Sequence, residues 1–127
     1  MIETEIGKEV IVLRMIGRIV DEDWDKVTGA FEEDLGKDFN LHLRRHGNGA
    51  LSVLMDWGRL EGWEKGARTA CTIFCMGYQD LVRRIAIVGS DKWRSEGERL
   101  ADVYKFAQIR YFQPSAQSEA LAWLEGR

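Results

Sequence analysis

Apolar and polar residues alternate from Ile2 to Ile6, the two-residue period of a strand with one buried face. A mostly apolar, β-branched run follows from Val10 to Ile16 between Gly7 and Gly17. It predicts a second strand, joined to the first by a hairpin at Gly7-Lys8-Glu9. The period then changes. Trp24, Val27, Thr28, Phe31 and Leu35 recur at helical spacing behind Asp21, a candidate N-cap, with Glu22 and Asp23 placed to meet the positive end of the helix dipole. Two patterns compete between Phe39 and Gly49. Phe39, Leu43 and His46 continue the helical stripe across Gly36, whereas Phe39, Leu41 and Leu43 alternate as a strand would. The helical pattern is favoured, so Phe39–Gly49 is expected to extend the helix and to end near Gly47-Asn48-Gly49.

Leu51–Met55 is a short apolar run and predicts a buried central strand. Asp56 and the residues after it read as a connection, and Trp63, Ala67, Cys71, Phe74, Tyr78 and Leu81 share one face of a second helix. Arg84–Val88, closed by Gly89, predicts another strand. Trp93, Leu100, Ala101 and Tyr104 form a third helical stripe with Asp91 as its candidate cap. Gln108–Phe112 alternates like an edge strand. Pro114 suits the first turn of a last helix whose apolar face is Ala116, Ala120, Trp123 and Leu124. The order ββαβαβαβα defines an α/β fold, a mixed five-stranded sheet with about four helices. With no repeat, linker or low-complexity stretch, residues 1–127 are expected to form a single domain.

Composition narrows the function classes. At 45% hydrophobic and 31% charged residues the chain is ordinary for a globular protein. A net charge of −3 with intermixed signs argues against nucleic acid, because phosphate binding needs clustered cations and the basic runs Arg44-Arg45-His46 and Arg83-Arg84 are short. No stretch approaches the roughly 20 apolar residues of a membrane span. The start Met1-Ile2-Glu3-Thr4-Glu5 lacks the apolar centre of a signal peptide, so a cytoplasmic location is expected.

An ordered set of segments carries a resemblance. Gly17 is followed by Asp21-Glu22-Asp23-Trp24. Leu54-Met55-Asp56 and Glu61-Gly62-Trp63 come next, then Arg84-Ile85-Ala86-Ile87-Val88-Gly89 and Asp91-Lys92-Trp93, and finally Arg110-Tyr111-Phe112 and Ala120-Leu121-Ala122-Trp123-Leu124. The set spans nearly the whole chain and resembles the SpoIIAA-like family of STAS-type domains, with a looser similarity to CRAL-TRIO lipid-carrying domains. Leu35–Gly49 departs from it, being longer than the family's usual connection. The resemblance implies a binding module and no enzymatic activity. Its partner would be another protein, as for anti-sigma-factor antagonists, or a small apolar molecule; transient membrane contact and a homodimer are both compatible with it. No cofactor is implied. The regulatory STAS proteins also carry a phosphorylatable Ser after the central strand. Here Asp56–Ala67 holds neither Ser nor Thr, the first hydroxyl being Thr69, so the usual phospho-switch is not expected.

Two candidate sites follow. Trp63 and Trp93 fall just beyond the C-terminal ends of their strands, where open α/β sheets gather ligands. With Ala67, Phe74, Tyr78 and Tyr104 they could line an apolar crevice between the second and third helices, although Trp at helical spacing is more often core. Asp56, Trp57, Arg59, Glu61 and Glu64 form the second candidate, a partner-facing surface, with Asp56 also suited to a local turn bond. His42 and His46 have the i, i+4 spacing of a metal pair. Leu43-Arg44-Arg45 between them and the lack of a third ligand argue against metal. Cys71 and Cys75 stand one helical turn apart on an apolar face and read as buried structural thiols.

Overall fold

A computed structural model describes residues 1–7, 10–31, 33, 51–77, 82–103 and 108–126. β1 (Ile2–Ile6) and β2 (Val10–Ile19) pair antiparallel. Helix α1 begins at residue 21 and is followed to residue 33. β3 (Leu51–Trp63), α2 (Ala67–Gly77), β4 (Val82–Val88), α3 (Arg94–Val103), β5 (Gln108–Phe112) and α4 (Gln117–Leu124) complete the order. Single 3-10 turns, Asp91–Trp93 and Pro114–Ala116, lead into α3 and α4. The five strands lie in sequence order, β1-β2-β3-β4-β5, and β2 to β5 are parallel. This is the mixed α/β sheet that the periodicities predict. The expectations for Leu35–Gly49, Leu81, Tyr78, Tyr104 and the His42/His46 pair fall outside the described residues.

The sheet is covered unequally. One face carries Ile11, Leu13 and Met15 of β2, Val53, Met55 and Trp57 of β3, and Ile85 and Ile87 of β4. Trp24, Val27 and Phe31 of α1, Cys71, Phe74 and Cys75 of α2, and Leu100 of α3 pack against them. The opposite face has a smaller core, in which Leu54, Ala86, Val88 and Phe112 meet Ala120 and Leu124 of α4. Among the described residues helix α4 lies over β4 and β3, and Glu3 and Glu5 of β1 are exposed on that side. Its C-terminal carbonyls, orphaned by the end of the helix, are met from the sheet. The Ser52 hydroxyl donates to the Leu124 carbonyl (3.1 Å) and Arg83 Nη2 to the same oxygen (3.4 Å), while Arg84 donates to the Trp123 carbonyl. Cations also suit the negative end of the helix dipole. Arg84 and Arg110 lie 5.2 and 5.5 Å from the Trp123 ring centre.

Several local expectations are corrected. The helix that starts at residue 21 puts Val20, not Asp21, at the N-cap position. Asp23, two residues into the helix, reaches back with Oδ2 to accept the Val20 amide at 2.9 Å, the acidic half of a capping box. Asp91 does not cap α3; its Oδ1 accepts a hydrogen bond from Gln113 Nε2 at 2.6 Å.

The largest correction is β3. Residues from Asp56 to Trp63 are strand, not connection, and Trp63 ends β3 instead of opening the second helix. Two extra residues make this possible. Between Arg14↔Asp56 and Ile16↔Arg59 the partner strand advances by three against two, and between Gly17↔Leu60 and Arg18↔Gly62 it advances by two against one. Each bulge reverses the side-chain alternation. Trp57, Leu60 and Trp63, three residues apart, thereby all turn to the α1–α3 face. Gly17 sits at the second shift with φ +73°, a conformation that favours glycine.

Candidate functional site

Helices α1 and α2 lie side by side on the larger core and meet through aromatic rings. Phe74 packs on Trp24 with ring centres 5.2 Å apart, and on Phe31 at 5.1 Å in an edge-on arrangement. Trp24 and Phe74 floor an open groove of about 460 Å³, with Thr28, Thr69, Ala70 and Ile73 along its walls and Asp21 and Asp25 at its rim. The outer face of α2 is apolar here: Ile73 is 64% exposed and Met76, almost one turn on, 54%. Core packing accounts for Ala67, Cys71 and Phe74 on the opposite side of the helix but not for these two. Ile73 and Met76 lie off the buried stripe of α2 that the helical period marks. The signal was present: a helix that is apolar on both sides has a face with no core to fill.

Of the predicted crevice residues, Tyr78 and Tyr104 lie outside the described residues, and Trp63, Ala67, Phe74 and Trp93 all belong to the larger core or pack against it. Phe74 faces α1, Ala67 is fully buried, and Trp63 packs edge-on against Trp57 at 5.6 Å. Trp93 donates its indole N–H to the Leu60 carbonyl at 3.2 Å, which ties the turn before α3 to β3. Helices α2 and α3 are clamped by an ion pair between Arg68 and Glu96 at 2.6 Å. Among the described residues the apolar groove therefore lies between α1 and α2.

The predicted partner surface also divides. Trp57 is 1% exposed, a core residue rather than a surface one, because it continues the alternation of Val53 and Met55 and points under α1–α3. Asp56 makes the local turn bond its position suggests, accepting the Gly58 amide at 2.9 Å. Asp56 and Arg59 face the opposite side of the sheet. Glu64 pairs with Arg18 at 2.6 Å beyond the end of β3, and Glu61 is exposed beside Gly17.

Cys71 and Cys75 are both buried and free. The neighbouring Cys75 and then burial hold the Cys71 thiol well above its ordinary pKa, the opposite of an activated nucleophile. Among the described residues no group of three or more His, Cys, Asp or Glu is arranged to hold a metal ion, and no helix is long and apolar enough to cross a membrane.

The mixed five-stranded sheet, three helices on one face and a short C-terminal helix on the other, defines a STAS-type α/β domain. The chain belongs to the SpoIIAA-like family, whose model matches residues 10–125. It is similar to the crystal structure of an uncharacterized DUF3478-family protein with a SpoIIAA-like fold from Shewanella loihica PV-4. That likeness has a TM-score of 0.72 and 20% identity over 98% of this chain and 92% of the other. It is also similar to the anti-sigma factor antagonist SpoIIAA in its unphosphorylated form, with a TM-score of 0.61 and 12% identity over 100% of both chains. At these identities the likeness is one of fold. A search of the curated proteins finds no match.

Proposed function

We propose that this protein is a non-enzymatic binding module that docks an apolar segment of a protein partner into the α1–α2 groove. The observation that carries the reading is the pair Ile73 and Met76, two large apolar side chains held in water on one helix face beside an aromatic-floored groove. Exposed apolar area of this kind marks interaction surfaces. The acidic rim of Asp21 and Asp25 selects a partner whose apolar segment is flanked by Lys or Arg, since complementary charge steers encounter and sets orientation. The groove is open, which suits a docked segment better than an enclosed ligand. The fold likeness to an anti-sigma factor antagonist supports a protein as the partner, with the mechanism differing because no Ser or Thr lies between Asp56 and Ala67.

A second reading places a small apolar molecule in the same groove. Its volume of about 460 Å³ favours this, lying within the roughly 300–1,000 Å³ of small-molecule sites. One experiment separates the two. A photo-crosslinking residue at position 73, with position 119 on exposed α4 as control, is expected to capture one protein in cells through 73 alone. Native mass spectrometry of the purified protein is expected to show no bound lipid. A lipid adduct that disappears in Ile73→Asp would favour the second reading, and identical capture at 73 and 119 would remove the first.

A further inference from the structure

On the sheet face opposite the groove, where α4 gives no cover, a recess of about 270 Å³ is lined by Glu3, Arg14, Met15, Ile16, Asp56 and Arg59. Glu3, Arg14 and Asp56 form one row across three strands, Arg14 standing directly opposite both acids. A row of alternating charge stabilises a sheet by itself, but that does not account for Arg59. In a regular strand the residue three places after Asp56 would point to the other face. The bulge between Asp56 and Arg59 returns Arg59 to the side of Asp56 and Arg14, one step further along the sheet. Re-aiming a side chain is what bulges beside functional sites do.

The charges around the recess are unequally satisfied. Arg14 pairs with Glu5 (3.3 Å), and Asp56 Oδ1 accepts the Gly58 amide. Among the described residues Arg59 and Glu3 form no ion pair, although opposite charges line the same small space. A guanidinium and a carboxylate held in one recess without contact leave room for something between them. A simple anion would meet Glu3 and Asp56 there, and a simple cation would meet Arg14 and Arg59. A ligand carrying both charges meets neither repulsion. We infer that the recess binds a small zwitterion of the α-amino acid class, its carboxylate on the Arg59 guanidinium and its ammonium on Asp56 Oδ2. The forked guanidinium suits a carboxylate in particular. The volume lies below the range of drug-sized sites, so the ligand is small.

The inference is independent of the α1–α2 groove, which lies on the other side of the sheet. Its test is a ¹H–¹⁵N chemical-shift titration with L-alanine and L-leucine, alongside acetate and methylammonium as half-ligands. At least one amino acid is expected to shift the amides of Arg14, Asp56, Gly58 and Arg59 saturably. Each half-ligand is expected to bind at least about tenfold more weakly, as are the amino acids to Arg59→Gln and Asp56→Asn. Ile73→Ala is expected to leave the titration unchanged. Asp56→Asn keeps a side-chain oxygen for the Gly58 amide, and the spectra of both variants report whether the fold is intact. Lack of saturable shifts with both amino acids would overturn the inference. So would acetate binding as tightly as they do, or Arg59→Gln binding them unchanged.

Discussion

Replacing Ile73 with Ala separates binding from folding at the groove. Ile73 is 64% exposed, and burying a whole Ile side chain is worth about 1.5–3 kcal/mol, so covering the exposed part in a complex contributes about 1–2 kcal/mol. At about 1.4 kcal/mol per tenfold, Ile73→Ala weakens partner binding roughly 5- to 30-fold. The fold loses little. The buried third of the side chain is small, and Ala gains a few tenths of a kcal/mol in helix propensity, so Tm stays within about 2 °C of wild type. Isothermal titration of the partner captured through position 73 measures the first quantity and calorimetric melting the second. Phe74→Ala provides the contrast: Phe74 is 8% exposed against Trp24 and Phe31, and truncation costs about 3–5 kcal/mol of folding free energy. Unchanged affinity in Ile73→Ala would refute the docking argument. A large fall in Tm would show that Ile73 is held by packing rather than left for a partner.

Further measurements probe the scaffold. Ser52→Ala leaves the buried Leu124 carbonyl with one donor fewer and is expected to cost about 1–2 kcal/mol, several degrees in Tm; an unchanged melt would mean that Arg83 and Arg84 hold α4 alone. Iodoacetamide near pH 8 should leave Cys71 and Cys75 unlabelled in the native protein and modify both in urea, since both thiols are buried and the Cys71 thiol is also held above its ordinary pKa; rapid native labelling would disprove this. The Tyr111 ring lies on Gly89 and Gly97, and its hydroxyl donates to the Ser90 carbonyl at 2.5 Å. Burial pushes that hydroxyl above the usual tyrosine range, with Arg94 opposing and Asp91 adding to the shift. The folded form thus holds the proton more tightly than the unfolded chain. The resulting stability is complete below the unfolded pKa of roughly 10 and is lost as pH rises through the higher folded value. Tyr111→Phe should cost about 1 kcal/mol near neutrality and flatten the alkaline limb of the stability curve; parallel limbs would count against the assignment.

Most of the fold was legible in the sequence because its elements are amphipathic in the ordinary way. Ile2–Ile6 and Gln108–Phe112 alternate, Leu51–Met55 is buried on both faces, and Trp24, Val27 and Phe31 keep one helical stripe. Each states its period locally, and the family segments fall on these same elements. Asp56–Trp63 was not legible. Its core-facing residues Trp57, Leu60 and Trp63 repeat every three positions, a spacing that suggests a turn or a helix. Only pairing with the Gly17-containing end of β2 reveals that two bulges have reset a strand's period of two. The candidate sites depended on the same long-range facts. Local pattern identified Phe74 as an inward residue, but whether it faces α1 or α3 depends on how two helices settle on one sheet. Local pattern likewise placed Asp56 and Arg59 in one segment. Their shared outlook over one recess of the sheet arises from a bulge in β3. Periodicity along a chain determines which residues are buried. Which of them meet, and which apolar side chains are left in water, is decided by strand register and helix placement, which no local stretch of sequence encodes.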